Sequence, residues 1–167
     1  VPFSSFTFEN VSWDDHRAVR LRSVMDAEMS VRYANYTPEP EPAEVTARRM
    51  ASLAVDPADV RAVVLVLDDD GTPIAHAALR ELRGDWEVKR VIVSDAQRGR
   101  GIARALMNHL ESLARAAGVS RLILQTGDRQ PDAVAVYERV GYTPIPIYEP
   151  YVETIPNSLC FEKLLAA

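Results

Sequence analysis

Residues 85–126 constrain the fold of this chain more than any other stretch. They read "DWEVKRVIV", then "SDAQRGRG", then "IARALMNHLESLARAAG", and after two more residues "RLILQT". The first run is strand-like and the last is a buried strand. Between them Ile102, Leu106, Leu110, Leu113 and Ala117 recur at three-to-four spacing, the stripe of an amphipathic helix that Gly118 terminates. Strand, glycine-rich loop, helix and strand together make a βαβ unit, which puts a parallel pair into whatever sheet the chain forms.

The rest of the sequence supplies hairpins instead. "RAVVLVLD" and "PIAHAALREL" flank Asp69-Asp70-Gly71-Thr72, a composition that favours a tight turn. A strand over Phe6–Val11 precedes a helix from Asp15 to Tyr33, with Asp14 as its cap and Leu21, Val24, Met25 and Glu28 along one side. "YANYTPEPEPAE" reads as a mobile loop and Ala43–Ala54 as a second helix. A short helix over Pro131–Val140 and strands over Tyr142–Tyr148 and Ser158–Leu164 complete the order β-α-α-β-β-β-α-β-α-β-β. The expected fold is a mixed, mostly antiparallel α/β sheet of about seven strands with helices on both faces. Its 167 residues suit one domain, 1–167.

Charge and cysteine usage narrow the partners. A formal net charge of −5 argues against a nucleic-acid footprint and suits a cationic small substrate. Cys160 is the single cysteine, so no intrachain disulfide forms, and a reducing cytoplasm is the simplest compartment. Cys160 reads as a buried core thiol. No apolar run approaches the roughly eighteen residues that span a membrane. The N-terminus lacks the pattern of a signal peptide, though it begins with Val and leaves an upstream segment open. No spacing of His, Cys and carboxylates suggests a metal site.

The glycines before the helix ask for an anion. A helix start offers unpaired N–H groups and the positive end of the macrodipole, and glycines leave those amides bare. Arg98 and Arg100 can add charge there. A Walker loop needs Lys-Ser/Thr after its second glycine, whereas Gly101 is followed by Ile102 and Ala103. A Rossmann fingerprint wants glycine directly after the strand, and Ser94–Arg98 intervene.

Arg98-x-x-Gly101-x-Ala103 matches the Q/R-x-x-G-x-G/A motif, and from Arg61 to Tyr142 the chain resembles the GNAT acetyltransferase superfamily. "EVKRVIVSDAQRGRGIARALMNHLESLARAAG" looks like that superfamily's fourth strand, pyrophosphate loop and third helix. "RLILQTGDRQPDAVAVYERVGY" looks like its fifth strand and fourth helix, and "SLCFEKLL" like the final strand of bacterial members acting on small amines or without an assigned substrate. The resemblance implies splayed fourth and fifth strands and acetyl-CoA as cosubstrate, with no metal. The pantetheine arm would pair with Val91, Ile92 and Val93, and the amides of Arg98, Gly99, Arg100, Gly101, Ile102 and Ala103 would take the pyrophosphate. In "QPDAVAVY" Ala133 and Tyr137 keep the family pattern, Tyr137 as the acid that protonates the departing sulfur, while Gln130 replaces the usual asparagine. Glu87, eleven residues before Arg98, stands where histone-acetylating members carry a general base.

Acetyl transfer to an amine requires a neutral nucleophile, oxyanion stabilisation and a proton for the thiolate. Strict alternation along "WEVKRVIV" puts Glu87, Lys89, Val91 and Val93 on one face and Trp86, Val88, Arg90 and Ile92 on the other. Glu87 is then a base or a partner of Lys89; Lys89 could hold a substrate carboxylate, and a water relay is the other route for the proton. Tyr33, Tyr36, Tyr148 and Tyr151 fall in segments that line the acceptor cleft in related proteins. His76 reads as a satisfied strand histidine, His16 and His109 as exposed helix positions, and Arg80 as a pair for an anionic substrate group or a surface charge. The function expected is acetyl-CoA-dependent N-acetylation of a small primary amine by direct attack. The alternatives are protein N-terminal or lysine acetylation, a non-catalytic acyl-CoA-binding module, and a nucleotide-dependent oxidoreductase that would bind NADH at the loop of residues 97–103. Related proteins often form homodimers through their last strands.

Overall fold

A computed structural model describes residues 5–35 and 40–166. The strands are β1 (Phe6–Val11), β2 (Val60–Asp68), β3 (Pro73–Leu82), β4 (Asp85–Val93), β5 (Arg121–Thr126), β6 (Thr143–Ile145) and β7 (Leu159–Leu164). They form one sheet in the spatial order β1-β2-β3-β4-β5-β7-β6. Every neighbouring pair is antiparallel except β4 and β5, which are parallel, as the βαβ unit requires. The helices are α1 (His16–Arg32), α2 (Ala43–Leu53), α3 (Ile102–Ala116), α4 (Pro131–Arg139) and α5 (Tyr151–Thr154). Among the described residues no helix is long and apolar enough to cross a membrane.

The sheet has two covered faces. On one, Ile102, Leu106, Met107 and Leu110 of α3 and Tyr137 and Val140 of α4 pack on Val64, Val66, Leu79, Val88, Leu122 and Leu124. Each fully buried aliphatic side chain in that cluster contributes about 1.5–3 kcal/mol. On the other, Ala18 and Leu21 of α1 pack on Val63, Leu65, Ala78 and Ile92.

The β2–β3 hairpin closes where the turn chemistry places it, with Asp70 Oδ1 accepting from Thr72 N at 2.9 Å. Other boundaries move. Asp15, not Asp14, caps α1, its carboxylate accepting from Arg17 N at 2.8 Å while Arg17 also pairs with Glu9. Val24 is half exposed, and the buried stripe of α1 runs through Ala18, Leu21 and Arg22 instead. The sixth strand is only Thr143–Ile145. Pro144 and Pro146 lack the N–H that a longer ladder needs. The chain then turns into α5, which the sequence does not announce and which buries Tyr151 completely.

β4 departs from simple alternation. His76 pairs with Ile92 and Ala78 with Lys89, so Arg90 and Val91 together face Ala77, and Arg90 takes a φ of 58°. This β-bulge inserts one residue and reverses the faces beyond it. Glu87 and Lys89 therefore share their face with Ile92, while Val88, Val91 and Val93 point to the α3 side. The expectation that Glu87, Lys89, Val91 and Val93 lie on one face is thus corrected.

Candidate active site

The parallel ladder between β4 and β5 consists of Trp86–Leu122, Glu87–Ile123 and Val88–Leu124. Beyond Val88 the β4 edge has no strand partner on that side, and it is there that Val91, Ile92 and Val93 lie. The strand runs on into the glycine-rich loop. Gln97 N donates to Ser94 O at 2.8 Å and Arg98 N to Asp95 O at 3.3 Å. From Gly99 to Ala103 the backbone N–H groups find no acceptor among the described residues. Gly99 (φ 82°) and Gly101 (φ 76°) both adopt the left-handed conformation that only glycine holds without strain, and Gly101 is the N-cap of α3. Beyond the adjoining backbone, no heavy atom of the described residues lies within 4 Å of where a Cβ would stand at either one.

The flanking cations are already paired. Arg98 donates to Glu28 at 2.8 Å and to Asp95 at 3.0 Å. Arg100 pairs with Asp68 at 3.3 Å and also bonds Gln97. An anion at this loop would therefore meet first the α3 start and its bare amides.

Tyr137, on α4, is 8% exposed, and its ring packs against Tyr142 and Phe161. Its hydroxyl makes no hydrogen bond among the described residues, and burial pushes its pKa above the usual phenol range. Ala133 packs against the same core, and Gln130 is the N-cap residue of α4, its side chain making no capping bond. Tyr33 docks on the loop before α4: its hydroxyl accepts from Arg129 N at 3.2 Å. A Cβ at Gly127 would fall 1.8 Å from that hydroxyl, so the close approach needs glycine. Tyr36 lies outside the described residues.

Glu87 occupies the opposite face of the sheet and is fully buried. Arg80 Nε donates to its Oε1 at 2.7 Å, Tyr148 Oη to its Oε2 at 2.6 Å and Tyr151 Oη to its Oε2 at 2.9 Å. Lys89 Nζ donates to Tyr151 Oη at 2.9 Å and lies 3.9 Å from Glu87. Burial draws the Lys89 pKa down to about 8, against the pull of Glu87. Burial also pushes the tyrosines up, with the Glu87 charge adding to it. Arg80, which could have been a surface charge, is instead a buried ion-pair partner whose Nη1 also donates to Ala54 O at 3.0 Å. Cys160 is a buried free thiol beside this group, its pKa raised by burial.

Hydrogen bonds hold the bulge itself. His76 Nδ1 lies 2.8 Å from Arg90 O, and Arg22 Nη1 lies 3.1 Å from His76 Nε2. Since Arg22 can only donate, Nε2 accepts and Nδ1–H donates. Burial lowers the His76 pKa to about 4, consistent with that neutral tautomer. His109, expected on an exposed position, is half-buried and stacks on Phe8 at 4.3 Å.

The sequence placed Tyr151 among the cleft-lining tyrosines and left Arg80 open, but it showed neither their convergence on Glu87 nor the burial of Arg22. The signal for Arg80 was its place at the end of the continuous buried run "IAHAAL". Among the described residues no group of three or more His, Cys, Asp or Glu could hold a metal ion.

The profile of the acetyltransferase (GNAT) family matches residues 21–142. An IAA acetyltransferase from Azospirillum brasilense is 38% identical over 103 residues, 60% of this chain and 67% of that protein. A Klebsiella pneumoniae structure assigned to the acyl-CoA N-acyltransferases superposes with a TM-score of 0.75 at 24% identity, over 96% of this chain and 98% of its own. A GNAT family acetyltransferase from Elizabethkingia anophelis with acetyl-CoA bound superposes with a TM-score of 0.65 at 13% identity, over 96% and 98%. The chain belongs to the GNAT acetyltransferase family and is an acyltransferase.

Proposed function

We propose that this GNAT member moves an acetyl group from acetyl-CoA to a primary amine of a small molecule by direct attack. One observation carries the reading: an unpaired β4 edge leads without interruption into a loop whose amides are bare and whose glycines are both left-handed. Such an edge suits an extended amide-bearing arm, and such a loop suits a pyrophosphate. Val91–Val93 would pair with the arm, and Gly99–Ala103 would hold the pyrophosphate. Acetyl-CoA supplies the activated thioester.

The two faces of the sheet divide the proton work. Tyr137 stands on the α3 side and protonates the departing sulfur; its phenol, held above the usual range by burial of the ring, keeps its proton until a thiolate forms. Glu87 stands on the α1 side, beside the Lys89 amine that takes up the acceptor's proton. Lys89 Nζ, Tyr151 Oη and Glu87 Oε2 form a continuous chain with both links at 2.9 Å. Lys89, neutral above about 8, draws the proton from the acceptor, while the Glu87 carboxylate holds Tyr151, and through it Lys89, in place. With acid and base on opposite faces, the amine attacks from one side while sulfur leaves on the other, and no acyl-enzyme is needed.

The test is thiol release from acetyl-CoA with a panel of small primary amines, followed by mass spectrometry of the products. An N-acetylated amine formed by the wild type, and slowed in Tyr137→Phe, is the expected result. Acetyl-CoA binding without turnover of any amine would contradict it.

A further inference from the structure

Arg22 is a buried cation on α1 that the transfer chemistry leaves unused. It occupies a position where the helical repeat turns residues inward, beside Leu21, and its side chain is 8% exposed. Its contact partners are all neutral, and the one carboxylate whose charge bears on it, Asp26, pairs with Arg90 instead. The guanidinium lies 3.7 Å from the Trp13 ring centroid and donates to Trp13 O and His76 Nε2. Among the described residues no carboxylate lies within 4.0 Å of it. A buried charge with no counter-ion in contact is costly, so it calls for an anion.

A second guanidinium stands next to it. Arg90 Nη2 donates to Arg22 O at 3.2 Å and pairs with Asp26 at 2.7 Å, while Arg90 Nε is buried without a partner. Trp13, Arg22 and Arg90, with Leu53, Ala54 and Val55 at and just after the end of α2, line an open cleft of about 200 Å³. Two cations, an aromatic face and an apolar wall make the chemistry of a small organic anion. Arg90 is also the bulge residue, directly before the Val91–Val93 edge, so one wall of the cleft belongs to the strand that would present the acetyl group.

We propose that Arg22 and Arg90 seat the carboxylate of the acceptor, which makes the acceptor an amino acid or a close analogue. This rests on the N-acetyltransferase reading above and narrows it. A site built to hydrogen-bond one group rejects the analogue lacking it, so the carboxylate should be worth about 100-fold or more in kcat/KM.

The experiment measures thiol release from acetyl-CoA by the full chain with L-alanine, L-leucine and L-methionine. Each is compared with its primary amide, its decarboxylated amine and its aminophosphonate. The amide has the less basic amine, so amine chemistry alone would favour it over the acid. The acids should lead by about 100-fold or more, and Arg90→Gln and Arg22→Lys should collapse that ratio through KM. Equal or better turnover of amides or amines, preference for the phosphonate, or an unchanged ratio in Arg90→Gln overturns the assignment. Binding is read separately in a Trp86→Phe background, where Trp13 is the remaining tryptophan. Trp13 fluorescence should respond to the N-acetyl-amino acids and not to their amides. If no amine is turned over but that response is present, the carboxylate seat stands and the transferase reading falls. If both are absent, both fall.

Discussion

Replacing Glu87 with Ala should be among the most damaging single changes in this protein. The carboxylate is fully buried and accepts from Arg80 at 2.7 Å, Tyr148 at 2.6 Å and Tyr151 at 2.9 Å. Its loss leaves Arg80 and Lys89 buried without their counter-charge. Breaking one partner of a buried pair costs about 3–5 kcal/mol. For a domain of this size about 1 kcal/mol moves Tm by roughly 2–4 °C, so the expected drop is about 6–20 °C. Arg80→Met should cost a comparable amount, because it strips Glu87 of the one cation hydrogen-bonded to it among the described residues. The double variant Arg80→Met/Glu87→Leu should lose much less than the two singles combined, with a coupling of at least about 1.5 kcal/mol. It will not fully recover, since the Tyr148 and Tyr151 hydroxyls lose an acceptor at about 1–3 kcal/mol each. Guanidinium unfolding with a shared m-value and calorimetric scans measure all three. A Glu87→Ala protein within about 1 kcal/mol of wild type, or additive singles, would refute the view of Glu87 as the anchor of this buried network.

Tyr137→Phe should lower kcat by about 100-fold or more with little change in acetyl-CoA affinity, in rapid-quench and calorimetric measurements. With Lys89 drawn down to about 8, kcat/KM should rise with pH through that value. Lys89→Met should remove that limb, and the limb should stay in place when acceptors of different basicity are compared. His76 is held near 4 in the folded protein against an ordinary 6.5. Between those values the unfolded chain binds a proton that the folded one refuses, so stability falls on acidification from pH 6.5 to 4 by about 3 kcal/mol. His76→Gln should flatten that part of the profile in denaturation curves taken at successive pH values.

Much of this architecture was legible in the residues. The α3 stripe, the Asp69–Thr72 turn and the "QRGRG" opening each carry a local physical signal, and each lies where that signal puts it. The bulge in β4 carried none. Arg90 is not a residue that advertises a left-handed backbone, and what holds it there is His76, fourteen positions away on the neighbouring strand. Alternation read straight through it therefore gave the wrong faces for Val91 and Val93. Arg22 and Arg80 were opaque for the same kind of reason: a single charged residue on a helix or at a strand end looks like surface until tertiary partners bury it. Tyr148 and Tyr151 could be assigned to the acceptor side, but their convergence on Glu87 depends on α5, a helix of four residues too short to show a period.

The most direct test of the central claim is a calorimetric titration of the full chain with acetyl-CoA, run beside coenzyme A and NADH and repeated with Gly101→Val. The account predicts saturable binding of acetyl-CoA and coenzyme A, none of NADH, and at least about tenfold weaker binding when a β-branched side chain stands over the α3 amides in a left-handed backbone. Binding of NADH in place of acetyl-CoA, or acetyl-CoA binding untouched by Gly101→Val, would contradict the assignment of this loop as the pyrophosphate seat.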